Sequence, residues 1–455
     1  MLFDYGDILL WASTVIHKEI YRRLAVHDSN LYYRSGKELC HKISRCIRIT
    51  QMLVRMTSVN PVINTVYATP VHIHKSVMNI WIVGLFPFVF LGNLKEWIFH
   101  PVIEVIYVST FGYSVSFERI GKSFYCSVYM FFDEIQIVKG WELFVLRVYK
   151  SYCKNVYVTG STAQMLSGEM SSALRGWPDE YTEYPLSFKE FIAFKGVKAN
   201  RYTEEGAALM ANMFKSYLLT GGFPQAVLAN VETERVKLLQ AYFNTMLFRD
   251  MIEHYNISAS PSVVRYFLKR VFNNITKPSS VNNIYNDLKS QGLKLSKDSL
   301  YQWLDYACNI FLLHKVPKYS KSIIKQSTSL SKYYVVDFAL AKSVLLPQSE
   351  EKGKALENAV YMHLARHLNE NEQIYYFNEG AECDFVIAND EGVKELIQVC
   401  WELDEFNTPR ECGGLCAASA ATGCKKASIV TCNQAQSIHY GDLQINVVAS
   451  WDFML

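Results

Sequence analysis

An Asp-Glu pair closes the apolar run Tyr129-Met-Phe-Phe-Asp133-Glu134, and a second apolar run, Val156-Tyr-Val, ends at Thr159-Gly160-Ser161. A strand of this kind carries its polar end to the carboxyl edge of a parallel sheet, where nucleotides bind. At such an edge Asp133 would hold Mg²⁺, directly or through water, and Glu134 would orient and polarise the attacking water. Hydroxyls of Thr159 and Ser161 would hydrogen-bond the γ-phosphate or its water. The plainer alternative is a buried strand whose Asp-Glu only caps the next helix.

These residues need a strand, a helix and a second strand to bring them together. Apolar Leu143, Phe144, Leu146, Val148 and Tyr152 form roughly one stripe between the two runs, which predicts a helix over 141–152 and a βαβ unit. From Phe188 to Tyr255 the pattern is mostly helical, broken at Gly221-Gly-Phe-Pro224.

Ordered motifs extend this beyond one unit. They are Phe-Phe-Asp-Glu-Ile-Gln-x-Val-x-Gly-Trp-Glu at 131–142, Thr-Gly-Ser-x-Ala-x-x-Leu-Ser at 159–167, Leu-Arg-Gly at 174–176 and Pro-Leu-Ser-Phe-x-Glu-Phe at 185–191. Further on come Gly-Gly-Phe-Pro at 221–224, Arg-Asp at 249–250, Lys-Tyr-Tyr-Val-Val-Asp at 332–337, Leu-Glu-Asn-x-Val-Tyr at 356–361 and Glu-x-Asp-Phe at 382–385. Over about 125–455 the chain resembles the prokaryotic AAA+-type ATPases that carry a C-terminal domain of unknown function. The resemblance implies an α/β protein whose P-loop NTPase-type (AAA+) core, incomplete here at its N-terminus, precedes a helical lid, a winged helix and an α/β restriction-endonuclease-like domain. It implies ATP and Mg²⁺ as cofactors, and it makes Arg175 the candidate arginine finger for the γ-phosphate. Trp177 stands where a second arginine usually follows in that family, so a structural role for Arg175 stays open.

A phosphate loop is missing. The motif G-x-x-x-x-G-K-[ST] wraps phosphates in backbone N–H groups and adds a Lys. The only Gly-Lys-Ser is Gly121-Lys122-Ser123, with Ser116 in place of the first glycine and Lys122 only 11 residues before Asp133. A βαβ unit of about 30 residues does not fit into that gap. Gly36-Lys37 fails as well, being followed by Glu38. Residues 1–124 therefore read as an atypical N-terminal region, either diverged or the product of a shifted reading frame that rejoins near Tyr125. The uncharged stretch Ser76 to Leu94 approaches the roughly 20 residues of a membrane span. Asn79, Gly84, Pro87 and Asn93 interrupt it, so a membrane partner is not expected.

Composition is that of a globular chain with room for about three domains, half apolar and 20% charged over 455 residues. The 11 cysteines are scattered and read as reduced thiols of a cytoplasmic protein. Cys412, Cys416, Cys424 and Cys432 match no compact zinc pattern and read as small core residues. Charge is segregated: 261–342 holds 13 basic and 4 acidic side chains, while 343–455 holds 7 and 17. That asymmetry suggests an anionic partner for the first segment. Helices are expected from Ser280 to Leu288 and from Ser296. The second would present Lys297, Ser299, Tyr301 and Gln302 as a recognition helix to duplex DNA. Lys315, Lys318, Lys321, Lys325 and Lys332 would lie along the wing at 312–336. Winged helices also serve as protein-contact modules, so a protein partner is the competing expectation.

Within the nuclease-like domain implied by the resemblance, Glu357 falls on a helix, Asp384 on a strand, and Gln398-Val399-Cys400 on its partner strand after a turn at 389–392. Nucleases of that fold gather Mg²⁺ with the acidic residues and use a Lys to activate water. Cys400 occupies the Lys position, and the site reads as degenerate. The expected organisation is 1–124 atypical, 125–190 AAA+ core, 191–260 helical lid, 261–342 winged helix and 343–455 endonuclease-like domain. The expected activity is ATP binding or hydrolysis coupled to the later modules. The alternative is a nucleotide-binding-deficient remnant that binds DNA or protein.

Overall fold

The computed structural model describes 80–83, 104–109, 128–133, 135, 140–152, 154–160 and 179–455, the last without 199, 294 and 347–350. Glu134, Ser161 and Arg175 lie outside the described residues.

Four strands make the first sheet: β1 (Ile80–Val83), β2 (Glu104–Ser109), β3 (Val128–Asp133) and β4 (Asn155–Val158), in that order. Strands β2, β3 and β4 are parallel, and β1 is antiparallel to β2. The crossover from β3 to β4 is helix α1 (Trp141–Ser151), which begins after Gly140 at φ 78° and buries Trp141, Val145 and Val148. Phe144 packs edge-on to Phe132 at 5.4 Å. This is the expected strand–helix–strand unit. Two strands within 1–124 join it, one of them (80–83) inside the uncharged stretch from Ser76 to Leu94.

A helical body follows. It comprises α2 (Phe188–Phe194), α3 (Glu204–Thr220), α4 (Pro224–Leu228) and α5 (Glu232–Thr245), which widens to π-helical geometry over Met246–Glu253. Ser187 and Glu190 explain where α2 starts: each side chain accepts from the other's backbone N–H, a capping box. Next come α6 (Pro261–Asn273), α7 (Val281–Ser290) and α8 (Lys297–Asn309), the last capped by the Ser296 hydroxyl. Strands β5 (Leu313–Val316) and β6 (Lys332–Val335) pair antiparallel, with the short helix α9 (Ile323–Thr328) between them. Lys321 and Lys325 thus stand just before and on a helix, not along wing strands.

After α10 (Phe338–Val344) and α11 (Glu351–His367), six strands form the second sheet in the order β11-β12-β10-β9-β8-β7. These are β7 (Gln373–Asn378), β8 (Glu382–Asn389), β9 (Gly392–Val399), β10 (Ala427–Thr431), β11 (Gln436–Tyr440) and β12 (Leu443–Ala449). Helix α12 (Thr408–Thr422) packs on β8 and β9, and α13 (Ser450–Phe453) closes the chain. Glycine is required where α12 crosses the sheet, since a Cβ on Gly414 would lie 1.9 Å from the Glu382 carbonyl oxygen.

One apolar cluster runs from Phe188 to Met454 and includes buried residues of the helical body, the three-helix and hairpin segment, and the second sheet. Burial removes apolar surface from water at roughly 25 cal/mol per Å², so 188–455 is stabilised as a unit. A second cluster lies under α12, where Cys412 and Cys424 are buried core residues as expected. Among the described residues no helix is long and apolar enough to cross a membrane.

Candidate functional site

Parallel register brings two of the expected nucleotide-site positions, Asp133 and Thr159, to one edge. Ser109 pairs with Asp133, and Phe132 pairs with Val158, so β2, β3 and β4 end together. The Thr159 amide donates to the Phe132 carbonyl at 2.8 Å, which sets Thr159 beside the end of the Asp133 strand. Asp133 and Thr159 are thereby adjacent in the fold. Ser109 shares the edge and was not singled out by sequence, because nothing near it resembles a motif. The sequence supplies no glycine-rich nest for nucleotide phosphates.

The better-defined site is in 188–455, and its centre is a lysine. Lys332 at the start of β6 is fully buried, with its Nζ 2.7 Å from Glu382, 2.9 Å from Asp384 and 3.3 Å from Glu357. The Tyr334 hydroxyl, two residues along the same strand, donates to Glu357 at 2.8 Å. This corrects the expectation that Lys332 belongs to a solvated basic wing. Its β6 position faces α11 and β8, and its ammonium is spent on three carboxylates. Burial alone would favour the neutral amine, but the charges of Asp384, Glu357 and Glu382 overcome it and hold the Lys332 pKa well above its usual value. Glu357 is pushed up to about 8 by burial and by the Asp384 charge, against the pull of Lys332.

Asp384 is anchored from two sides: its Oδ2 accepts from the Val399 amide at 3.0 Å, and its own amide donates to Gln398 at 3.1 Å. Gln398 passes the contact on, donating to Glu411 of α12 at 2.7 Å, and Glu411 accepts from Arg410 at 3.0 Å. Glu411 is almost wholly buried and is not legible in the sequence, where its only signal is an acidic side chain on a small-residue helix. Cys400 stands apart. Its side chain joins the apolar cluster with Leu403 and Cys412, and burial, then Glu411 and Asp384, push its thiol up to about 12. An ammonium does stand beside Asp384 and Glu357, but it comes from residue 332 and fills the space among the carboxylates. Among the described residues no group of three or more His, Cys, Asp or Glu is arranged to hold a metal ion.

The same network absorbs most of the ordered motifs. The Asn358 side chain accepts from the Val335 amide at 2.8 Å and donates to its carbonyl at 2.9 Å, replacing a neighbouring strand for β6. Tyr334 stacks on Tyr361 at 4.3 Å. Asp337 caps α10 at Leu340 and reaches back to the Gly222 amide. Leu186 exchanges with the same turn, its amide donating to the Gly222 carbonyl at 2.7 Å while its carbonyl accepts from the Tyr217 hydroxyl at 2.9 Å. Arg366 of α11 hydrogen-bonds the Pro185 carbonyl and lies 5.4 Å over the Tyr184 ring.

Comparison with known proteins finds two family matches in this chain. Residues 109–192 match an AAA domain, and residues 211–351 match a domain of unknown function, DUF8612. The first match supports an AAA-type, P-loop NTPase-type core in the segment holding β3, α1 and β4. The uncharacterized protein MJ1544 of Methanocaldococcus jannaschii is 35% identical over 287 residues, covering 62% of this chain and 63% of that protein. An uncharacterized protein of Haemophilus influenzae is 28% identical over 242 residues, covering 52% of this chain and 58% of that protein. The chain thus spans about three-fifths of the length of these curated relatives.

Proposed function

We propose that this chain is an ATP-binding, AAA+-type ATPase-like protein that passes the nucleotide state of its strand edge to an effector body formed by 188–455. The carrying observation is the fastening of Tyr184-Pro185-Leu186, which enters that body under hydrogen bonds from Tyr217 and Arg366 and an exchange with Gly222. Movement of the AAA-type segment would pull on this strap and, through Gly222 and Asp337, on α10 and β6. In this reading Asp133 holds Mg²⁺, Glu134 orients the attacking water, Thr159 and Ser161 sense the terminal phosphate, and Arg175 stabilises its charge. ATP hydrolysis is the chemistry such a nucleotide supplies. We place the protein in the cytoplasm; seven free cysteines among the described residues support a reducing compartment.

The effector body is read as a winged helix joined to a restriction-endonuclease-like domain. Support comes from the three helices α6 to α8 followed by the β5–β6 hairpin, and from the mixed sheet that carries Asp384. Exposed Lys297, Tyr301 and Gln302 on α8 offer a surface to duplex DNA, a protein partner being the alternative. The missing glycine-rich loop favours a second reading, in which the body acts without nucleotide.

Hydrogen exchange of the full chain with and without saturating Mg-ATP tests the coupling. Protection changes at 184–187 and around Asp337 are expected. Nucleotide binding that leaves all of 188–455 unchanged would refute the coupling, and failure to bind would select the second reading.

A further inference from the structure

A polar cleft of about 180 Å³ lies where the loop before α9 meets the outer end of the second sheet, far along the chain from the strand edge and outside the Lys332 cluster. Its lining includes Tyr319, Tyr375, Gln326, Asn371, Gln373 and Asp390. The volume equals the liquid share of about six waters at about 30 Å³ each, room for one planar ring system. Its floor is firm. The Tyr319 amide donates to the Tyr376 carbonyl at 2.7 Å and the Tyr376 amide to Pro317 at 3.1 Å, so 317–319 runs beside β7. The Tyr319 and Tyr375 rings meet edge to face at 5.8 Å.

We propose that this cleft takes one unpaired base of a single-stranded nucleic acid. The two rings stand nearly perpendicular, so a base can stack on the face of one of them, a contact with little sequence demand. Carboxamides of Gln326 and Asn371 supply donors and acceptors for a base edge, and the Gln373 oxygen, which accepts from the Tyr375 hydroxyl at 2.7 Å, holds that ring in place. The Asp390 carboxylate can only accept, which favours bases bearing an exocyclic amine over thymine. Lys321 and Lys325 are exposed on the α9 side, where a phosphate backbone entering the cleft would meet positive charge. That charge separates a strand from a neutral sugar, which the amides and rings alone would also suit. The site depends on neither nucleotide hydrolysis nor the duplex surface of α8.

Fluorescence anisotropy of the full chain with labelled oligodeoxycytidine at low salt tests the assignment. Binding is expected, with weaker affinity for oligothymidine, and the cleft variants should leave any affinity for a duplex of equal length unchanged. Tyr375→Ala should weaken oligodeoxycytidine binding roughly 5- to 150-fold, and Gln326→Ala, on the exposed helix, should weaken it without altering circular dichroism or the melting temperature. Combining Lys321→Gln with Lys325→Gln should flatten the salt dependence. Absence of binding, equal affinity of wild type and both cleft variants, or equal affinity for free cytidine or a hexose would each overturn the proposal.

Discussion

The Asp337 carboxylate accepts a hydrogen bond from the Gly222 amide at 2.6 Å, joining residues 115 apart in the chain. The contact exists because Gly221, at φ 78°, ends α3 and turns the next amide toward β6. A Cβ at Gly222 would fall 2.4 Å from the Leu186 carbonyl oxygen, and one at Gly221 would fall 2.5 Å from Asp337. Both glycines are thus demanded by neighbours as well as by the turn.

Gly222→Ala should therefore destabilise the body by about 1–3 kcal/mol, the usual cost of forcing atoms into packed space. Asp337→Ala should cost a similar amount, since it strands the buried Gly222 and Leu340 donors. Urea denaturation of the full chain checks both, and a midpoint unchanged for either would contradict the packing described.

Removal of the Lys332 ammonium should be severe. Lys332→Met leaves three carboxylates facing one another without a cation, and breaking a buried pair costs about 3–5 kcal/mol. Adding Asp384→Asn should recover part of that deficit by replacing a charged partner of Lys332 with a neutral amide. A double variant no more stable than the single one would show that the cluster is not held by this balance.

The pH dependence has a definite sign. Glu357 titrates near 4.5 when unfolded and at about 8 when folded, so the folded chain holds its proton more tightly. The resulting stability is fully present below pH 4.5 and declines as pH rises through about 8, by at most about 1.4 kcal/mol per unit inside the window. Glu357→Gln should flatten this slope. Melting curves at closely spaced pH values read the difference between wild type and variant.

Duplex DNA binding by the full chain should depend on salt, and Lys297→Gln should reduce the slope of log K against log salt by roughly 0.9 for each phosphate it no longer neutralises. Lys332→Gln, by contrast, should lower the folded fraction and leave the slope of the folded protein alone, because Lys332 reaches no solvent. Filter-binding isotherms across a salt series separate the two.

Metal-dependent cleavage of single- or double-stranded DNA is not expected. Lys332 occupies the centre of the carboxylates, and Cys400 offers no ammonium of its own. Cleavage by wild type that disappears in Asp384→Ala would reverse this expectation.

Much of the local structure is legible in the sequence. Ser296 marks the start of α8 and the Asn389-to-Gly392 turn marks the β8–β9 hairpin, because each signal sits within a few residues of its effect. The helix α1 is foreseen but not its buried face, which is Trp141, Val145 and Val148 while Leu143 and Tyr152 are exposed. What cannot be read is long-range. Lys332 carries the same side chain as Lys325, and only its place on β6, opposite residues 25 and 52 positions away, makes one buried and the other exposed. Strands β1 and β2 escape notice for another reason: four to six apolar residues carry little periodicity, and no glycine-rich loop marks their neighbourhood.

The continuous apolar cluster from Phe188 to Met454 also bears on how such a chain can change over time. A crossover or deletion inside that span would split one interior and expose apolar surface on both halves. A break ahead of Tyr184 cuts no part of that interior. The head is consequently the part free to drift, be swapped or shed a loop while the rest continues to fold, and this is where the sequence departs from expectation.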